Sequence, residues 1–175
     1  MIRKLVLGAA GALVCAPLAF AHVTLETGAA PVGASYKAVM RVPHGCEGSP
    51  TTAIRIRIPA GVIGVKPMPK PGWTLATVTG KYPATYTLRG AKVTEGVIEV
   101  AWSGGKLPDA YYDEFVFTSA LAEELEAGKP IYFPVVQECE KGIHRWIEIP
   151  ASDAHAGESH EGPEPAPRLR LLPKR

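Results

Sequence analysis

From residue 22 onward, apolar and polar residues alternate with a period of two through much of the chain. The clearest run is Ala53-Ile54-Arg55-Ile56-Arg57-Ile58, with isoleucines facing one way and arginines the other, as on a half-buried antiparallel strand. Val97-Ile98-Glu99-Val100-Ala101-Trp102 and Phe115-Val116-Phe117 behave similarly. The pattern predicts strands at His22–Thr27, Ser35–Val42, Thr52–Ile58, Trp73–Lys81, Tyr86–Leu88, Gly96–Trp102, Tyr112–Thr118, Ile131–Gln137 and Arg145–Ile149. Pro43, Pro59, Pro108, Pro134 and Pro150 stand at or near the ends of these strands, where a missing N–H is tolerated. Many short strands at this spacing, with no repeats and no βαβ alternation, predict an all-β antiparallel sandwich.

Three segments depart from the alternation. Ser119–Gly128 has helical propensity and is either a turn of helix or a loop. Lys66–Gly72 holds three prolines and cannot be a central strand, because each proline removes a ladder donor. Residues 151–175 are rich in Pro, Gly, Glu and Ala and are expected to be a flexible C-terminal tail. His155 and His160 lie in it, so the tail is either a weak metal holder or a solvated extension.

The first 21 residues have a different character. Arg3 and Lys4 precede an apolar run from Leu5 to Leu18, and Ala19-Phe20-Ala21 is an A-x-A cleavage site, so residues 1–21 read as a secretory signal peptide. The apolar run is short for a bilayer span of ~20 residues. Lipidation at Cys15 is the weaker reading, since Ala12-Leu13-Val14 lacks the small residues expected just ahead of a lipid-modified Cys. The signal removes two of the 19 basic residues and none of the 17 acidic ones, so the mature chain is formally neutral. Neutrality argues against nucleic acid or an anionic membrane as a partner. The expected location is periplasmic or secreted.

Export gives meaning to the cysteines. Cys15 leaves with the signal, and Cys46 and Cys139 remain. In an oxidising compartment two cysteines most simply form one disulfide. It closes a loop of about ninety residues, worth roughly 4–5 kcal/mol in the chain-entropy model. A thiolate metal pair is the rival, weakened because neither Cys has a second Cys or His at finger-like spacing.

Cleavage after Ala21 leaves His22 as the first residue. An N-terminal His offers an α-amine and an imidazole nitrogen that together chelate one metal ion, and Cu(II) favours such tetragonal nitrogen and oxygen sites. The plain alternative is that some residue must follow the cleavage site. Glu114 starts an apolar alternation and is either an inward carboxylate needing a cation or a surface residue. Trp146 is either a core residue or a cap that excludes water from a metal site. His144 lies two residues from Trp146 on the same strand face, which makes it the natural second histidine if a site uses two.

Several dispersed motifs carry a family resemblance. They are the mature start His22-Val-Thr-Leu25, Tyr36-Lys37-Ala38, His44-Gly-Cys-Glu-Gly-Ser-Pro-Thr-Thr-Ala53, and Val65-Lys-Pro-Met-Pro-Lys-Pro-Gly-Trp73. Tyr112-Asp-Glu-Phe115, Tyr132-Phe-Pro-Val-Val-Gln-Glu-Cys139 and Arg145-Trp146 complete the set. Together they resemble the YcnI-like copper-binding proteins over roughly residues 22–150. The resemblance implies an immunoglobulin- or cupredoxin-like β-sandwich and a Cu(II) site called a monohistidine brace. Carried over by motif, its residues are His22, Glu114 and Trp146, with Asp113 and Asp109 as neighbouring carboxylates that leave the choice of ligand open.

The expected protein is thus a signal peptide (1–21), a copper-binding β-sandwich (22–150) and a tail (151–175). Its expected role is to carry Cu(II) in copper trafficking or homeostasis, not to act as an enzyme. The expected partners are a copper ion and either another periplasmic copper chaperone or a membrane copper transporter. The rivals are a copper-dependent oxygenase using His144 or His44 as second ligand, and a metal-free structural or adhesion domain.

Overall fold

The structure is a computed structural model that describes residues 22–150 and 164–174. The signal peptide with Cys15, and the segment carrying His155 and His160, lie outside the described residues. The described residues form twelve strands and no helix: β1 (Thr24–Leu25), β2 (Ala29–Pro31), β3 (Ser35–Val42), β4 (Thr51–Arg57), β5 (Val62–Pro67), β6 (Thr74–Leu88), β7 (Ala91–Leu107), β8 (Asp113–Leu121), β9 (Pro130–Tyr132), β10 (Val135–Cys139), β11 (Ile143–Trp146) and β12 (Arg168–Leu172).

They assemble as a four-stranded sheet ordered β1-β3-β8-β5 and a five-stranded sheet ordered β11-β10-β4-β7-β6, both antiparallel, with a small third sheet ordered β2-β12-β9. The all-β antiparallel sandwich that the alternation predicts is what forms. Ile54 and Ile56 of β4, Val100 and Trp102 of β7, and Phe115 and Phe117 of β8 all point into one buried core, while Arg55 and Arg57 face solvent. This is period-two patterning at work: one face of each strand supplies the apolar area whose removal from water drives the two sheets together.

Two predicted strands fuse. Trp73–Lys81 and Tyr86–Leu88 become the single long strand β6, which turns into β7 through Arg89 and Gly90. Both turn residues have positive φ, 50° and 82°, the two-residue hairpin geometry whose twist matches the strands. The predicted Ile131–Gln137 strand instead splits at Phe133-Pro134 into β9 and β10, which join different sheets. Ser119–Leu121 completes β8, and the rest of the helix-prone segment passes through turns, because pairing with β3 and β5 overrides local propensity. The proline-rich Lys66–Gly72 does lie at an edge. Lys66 and Pro67 end β5, the outermost strand of its sheet, and the Met68 carbonyl accepts the Trp102 indole N–H at 3.0 Å.

The tail is where the sequence reading needs correcting. Residues 164–174 are part of the fold, not a flexible extension. β12 pairs parallel with β2 and antiparallel with β9, and Leu169 and Leu171 are buried in the main core. The cause is the alternation Arg168-Leu169-Arg170-Leu171, a strand signature obscured by the Pro- and Gly-rich stretch before it. The domain boundary therefore moves from 150 to beyond Leu172.

A disulfide joins Cys46 and Cys139, 93 residues apart in sequence. Thiol titration of unfolded, unreduced mature protein should find no free sulfhydryl. If β12 is structural, Leu169→Ala should cost about 2–5 kcal/mol, the usual range for truncating a buried leucine. Urea unfolding measures this, and a change within error of zero would return residues 164–174 to the status of a tail.

Candidate metal centre

Trp146 ends β11, an edge strand of the five-stranded sheet, directly opposite Val135 of β10. Period-two alternation puts Trp146 and His144 on one face, and their rings lie 5.1 Å apart at 33°. The indole is buried and belongs to the main core, so its role there is real. Its ring also meets His22, at 5.6 Å between centroids and 53° between planes. His22 stands two residues before β1, an edge strand of the opposite sheet, and the intervening Val23 is buried. Two edge strands from opposite sheets therefore bring the sequence-predicted His22 and Trp146 together.

A buried amide holds this arrangement. Gln137 of β10 is fully buried, and its Oε1 accepts the Trp146 Nε1–H at 3.0 Å. Its Nε2 donates to the His44 carbonyl at 2.7 Å and to Thr51 Oγ1 at 2.8 Å. The one polar hydrogen of Trp146 is therefore already donated, and its contact with His22 is a tilted ring contact. The His44 loop follows β3 and is fixed twice more. Cys46 is tied to Cys139 at the end of β10, and the Gly45 N–H donates to Asp109 Oδ1 at 3.0 Å. Gly45 tolerates no side chain, since a Cβ there would sit 2.0 Å from the Ser49 carbonyl oxygen.

His44 and His144 approach each other across this loop, with ring centroids 6.2 Å apart and planes nearly perpendicular. The His144 Nδ1 lies 2.5 Å from Glu164 Oε1, and Glu164 Oε2 accepts the Arg145 N–H at 2.7 Å. The His44 Nδ1 lies 2.6 Å from the Gly45 carbonyl oxygen.

The carboxylates sort by their existing partners. Asp109 accepts from Gly45, and Asp113 accepts from Lys70 Nζ at 2.6 Å and from the Glu114 N–H at 2.8 Å. Glu114 lies on β8 in register with Arg41 of β3, which pairs in turn with Thr24 of β1. Its Oε1 stands 3.6 Å from Arg41 Nε, an ion pair too long for a hydrogen bond. That Nε is buried and makes no hydrogen bond. Glu114 is therefore the loosest held of the three. It reaches the neighbourhood of β1 through Arg41, whereas His22 reaches Trp146 directly.

Among the described residues, no group of three or more His, Cys, Asp or Glu side chains stands close enough to hold a metal ion together. A brace is not such a group. It takes two donors from one residue, and the α-amine becomes a donor only once the peptide bond between Ala21 and His22 is cut.

Sequence reasoning missed Gln137, Arg41 and Glu164. Gln137 was open to discovery, because alternation in Val135-Val136-Gln137 sends it inward with Val135. Arg41 and Glu164 act across strand pairings that no local pattern reveals.

A protein-family model described as "Domain of unknown function (DUF1775)" matches residues 22–171. Comparison with curated proteins finds no match. Among solved structures, the chain is similar to one described as an uncharacterized protein from Nocardia farcinica with an immunoglobulin-like fold. Identity is 24%, the TM-score is 0.60, and the likeness covers 86% of this chain and 98% of that one. The likeness agrees with the sandwich described above.

Gln137→Leu keeps the approximate shape but orphans the Trp146 N–H and the His44 carbonyl. The expected loss is about 2–4 kcal/mol in urea unfolding, from stranded buried polar groups. The emission of Trp146 should shift as its ring is released, and an unchanged spectrum and stability would show that the amide does not hold the site.

Proposed function

The chain belongs to the family described as DUF1775, the YcnI-like domain, and from that premise we propose that the mature protein is an exported Cu(II) carrier of copper trafficking or homeostasis. The ion is held by the amine and imidazole of His22, with Glu114 as the carboxylate and Trp146 beside it. The observation that carries this reading is the packing of the His22 ring against the buried Trp146 indole. The one residue that would offer two nitrogen donors after cleavage packs its ring against a buried aromatic side chain at the margin of the sandwich.

The donor set suits Cu(II), which prefers nitrogen and oxygen ligands in tetragonal geometry and heads the divalent affinity order. An α-amine with a pKa of about 7.7–8.0 gives up its proton readily to a metal near neutrality. Glu114 supports the reading because its bond to Arg41 is weak, whereas Asp113 and Asp109 would each have to break shorter hydrogen bonds. A carboxylate also lowers the net charge of the bound ion. Trp146 contributes by its ring face, excluding water and offering its π-cloud to the cation.

Two features bear on export. The disulfide fits an oxidising compartment, and among the described residues no helix is long and apolar enough to cross a membrane. The proposed partner is a second copper protein, a periplasmic chaperone or a membrane transporter, able to take an ion from a site made largely of one residue. The proposed protein carries copper and does not turn over a substrate.

The test is Cu(II) titration of untagged mature protein beginning at His22. His22→Ala should nearly abolish this binding, because the chelate ring is lost although an amine remains. A residue left in front of His22 should have the same effect, since the nitrogen becomes an amide. Glu114→Gln should weaken binding and shift the copper spectrum without unfolding the domain. Trp146→Phe should largely keep affinity while altering fluorescence quenching by copper. Full affinity in a chain extended ahead of His22 would reject the amine as a ligand. A third nitrogen in the electron spin resonance of the first bound copper would favour the oxygenase-type site.

A further inference from the structure

We propose that a cleft on the outer face of the four-stranded sheet binds the phosphate group of a small phosphate monoester, held by Lys37, Lys66 and Arg89. The strand register places the two lysines. Lys37 of β3 and Lys66 of β5 both stand directly opposite Thr118 of β8. Residues directly opposite one another share a face of the sheet, and all three are exposed, on the side away from the core. The lysine backbones are two strand spacings apart, about 10 Å, with the Thr118 side chain between them. Their long side chains can therefore close on one small anion above Thr118. Ser35, two residues before Lys37, adds a second hydroxyl to the same face.

The β6–β7 hairpin supplies the third cation. Its tip is seated on β5, where a Cβ on Gly64 would stand 3.0 Å from Leu88 Cδ2. Gly64 has a φ of 61° and lies in the irregular pairing between Ile63 and Lys66. Arg89 follows Leu88 and lines the same cleft as Lys37, Lys66 and Thr118. Its own φ is 50°. That left-handed turn position favours Asn, Asp or Gly, and arginine carries a steric cost there. A residue held in such a conformation points to a functional reason for its presence.

The cleft has the volume and the charge for this ligand. It encloses about 790 Å³, inside the small-molecule range of about 300–1,000 Å³. Among the described residues, Glu123 is the one carboxylate lining it, and Lys174 Nζ pairs with that carboxylate at 2.8 Å. Lys37, Lys66 and Arg89 make no ion pair among the described residues. Like charges lining one concavity focus a field that draws the opposite charge from solution. A phosphate monoester matches three cations better than a carboxylate does. It carries nearly two charges and three acceptor oxygens, against one charge and two oxygens. The guanidinium fork suits phosphate oxygens, and lysine serves the same group as a point charge.

The inference uses no residue of the candidate metal centre, so it stands or falls separately from the copper reading. The experiment is calorimetric titration of metal-free mature protein, beginning at His22, with glycerol 3-phosphate at low ionic strength. One ester should bind per chain, more weakly as salt is raised, and glycerol should not bind. Arg89→Asn is the decisive variant, because asparagine tolerates the same φ and preserves the turn. It should unfold at the same urea concentration or a higher one, yet bind about tenfold or more weakly. Lys37→Gln and Lys66→Gln should each weaken binding by a similar factor. Arg57→Gln removes an equal charge from the other sheet and should change nothing. Vesicles of phosphatidylcholine containing phosphatidic acid form the second arm. Binding of glycerol 3-phosphate identifies a soluble ester. Binding of the vesicles alone, lost in Arg89→Asn, identifies the same group carried on a lipid. No binding in either arm, acetate binding as tightly as glycerol 3-phosphate, or equal losses in Arg57→Gln and Arg89→Asn would overturn the inference.

Discussion

The buried amide of Gln137 is the constraint on which the candidate site depends. It joins Trp146 on β11 to two points about ninety residues earlier in the chain, the His44 carbonyl after β3 and Thr51 at the start of β4. An unpaired amide in a core costs about 1–3 kcal/mol per lost partner, so the fold is favoured only where all three bonds form together. That requirement pins the register. With Gln137 opposite Ile54 and His144, its side chain points inward. A one-residue slip of β10 would send it to solvent and bring Val136 or Glu138 inward instead. The disulfide from Cys139 to Cys46 ties the end of the same strand to the same loop, and the two constraints reinforce each other.

The candidate residues gather at a margin of the sandwich. β1 and β11 are both edge strands, one in each sheet, and among the described residues neither has a further strand beside it. In the middle of either sheet a tryptophan would be sealed by neighbours on both sides. At the margin its ring can complete the core with one part and touch His22, ahead of β1, with another. Core packing and contact with His22 are therefore compatible for Trp146. Core packing makes the indole rigid, and the rigidity gives His22 a fixed surface to rest on.

The fold was legible where the determining interactions are local. β3 falls on its predicted bounds, and the isoleucine–arginine alternation of β4 reports burial residue by residue. β12 carried an equally clear alternation, but flanking composition hid it, and its partners lie more than thirty residues away at β9 and far earlier at β2. For the site, the proximity of His144 to Trp146 followed from strand geometry alone. The placing of Glu114 did not, because what it faces is fixed by the pairing of β8 with β3, a contact more than seventy residues apart in the chain. Sequence identifies which residues are capable of chemistry; non-local register decides which of them already have partners.

Glu114 and Arg41 show why that distinction matters for any cation. The carboxylate sits against an arginine whose Nε is buried without a hydrogen bond, while a second carboxylate, Glu26, lies 3.7 Å from the Nη2 of the same guanidinium. Half-exposed pairs at these distances contribute little to stability, about 0–1 kcal/mol. Arg41 can therefore release Glu114 and lean on Glu26 at small cost, since it keeps a counter-charge throughout. Under the copper reading, this lets a neutral mature chain accept a divalent cation. The incoming charge takes over a carboxylate whose present partner has another close by, so the half-exposed Arg41 keeps a counter-charge. Asp113 has no such freedom, because releasing it would break its short bond to Lys70 and its bond to the Glu114 N–H together.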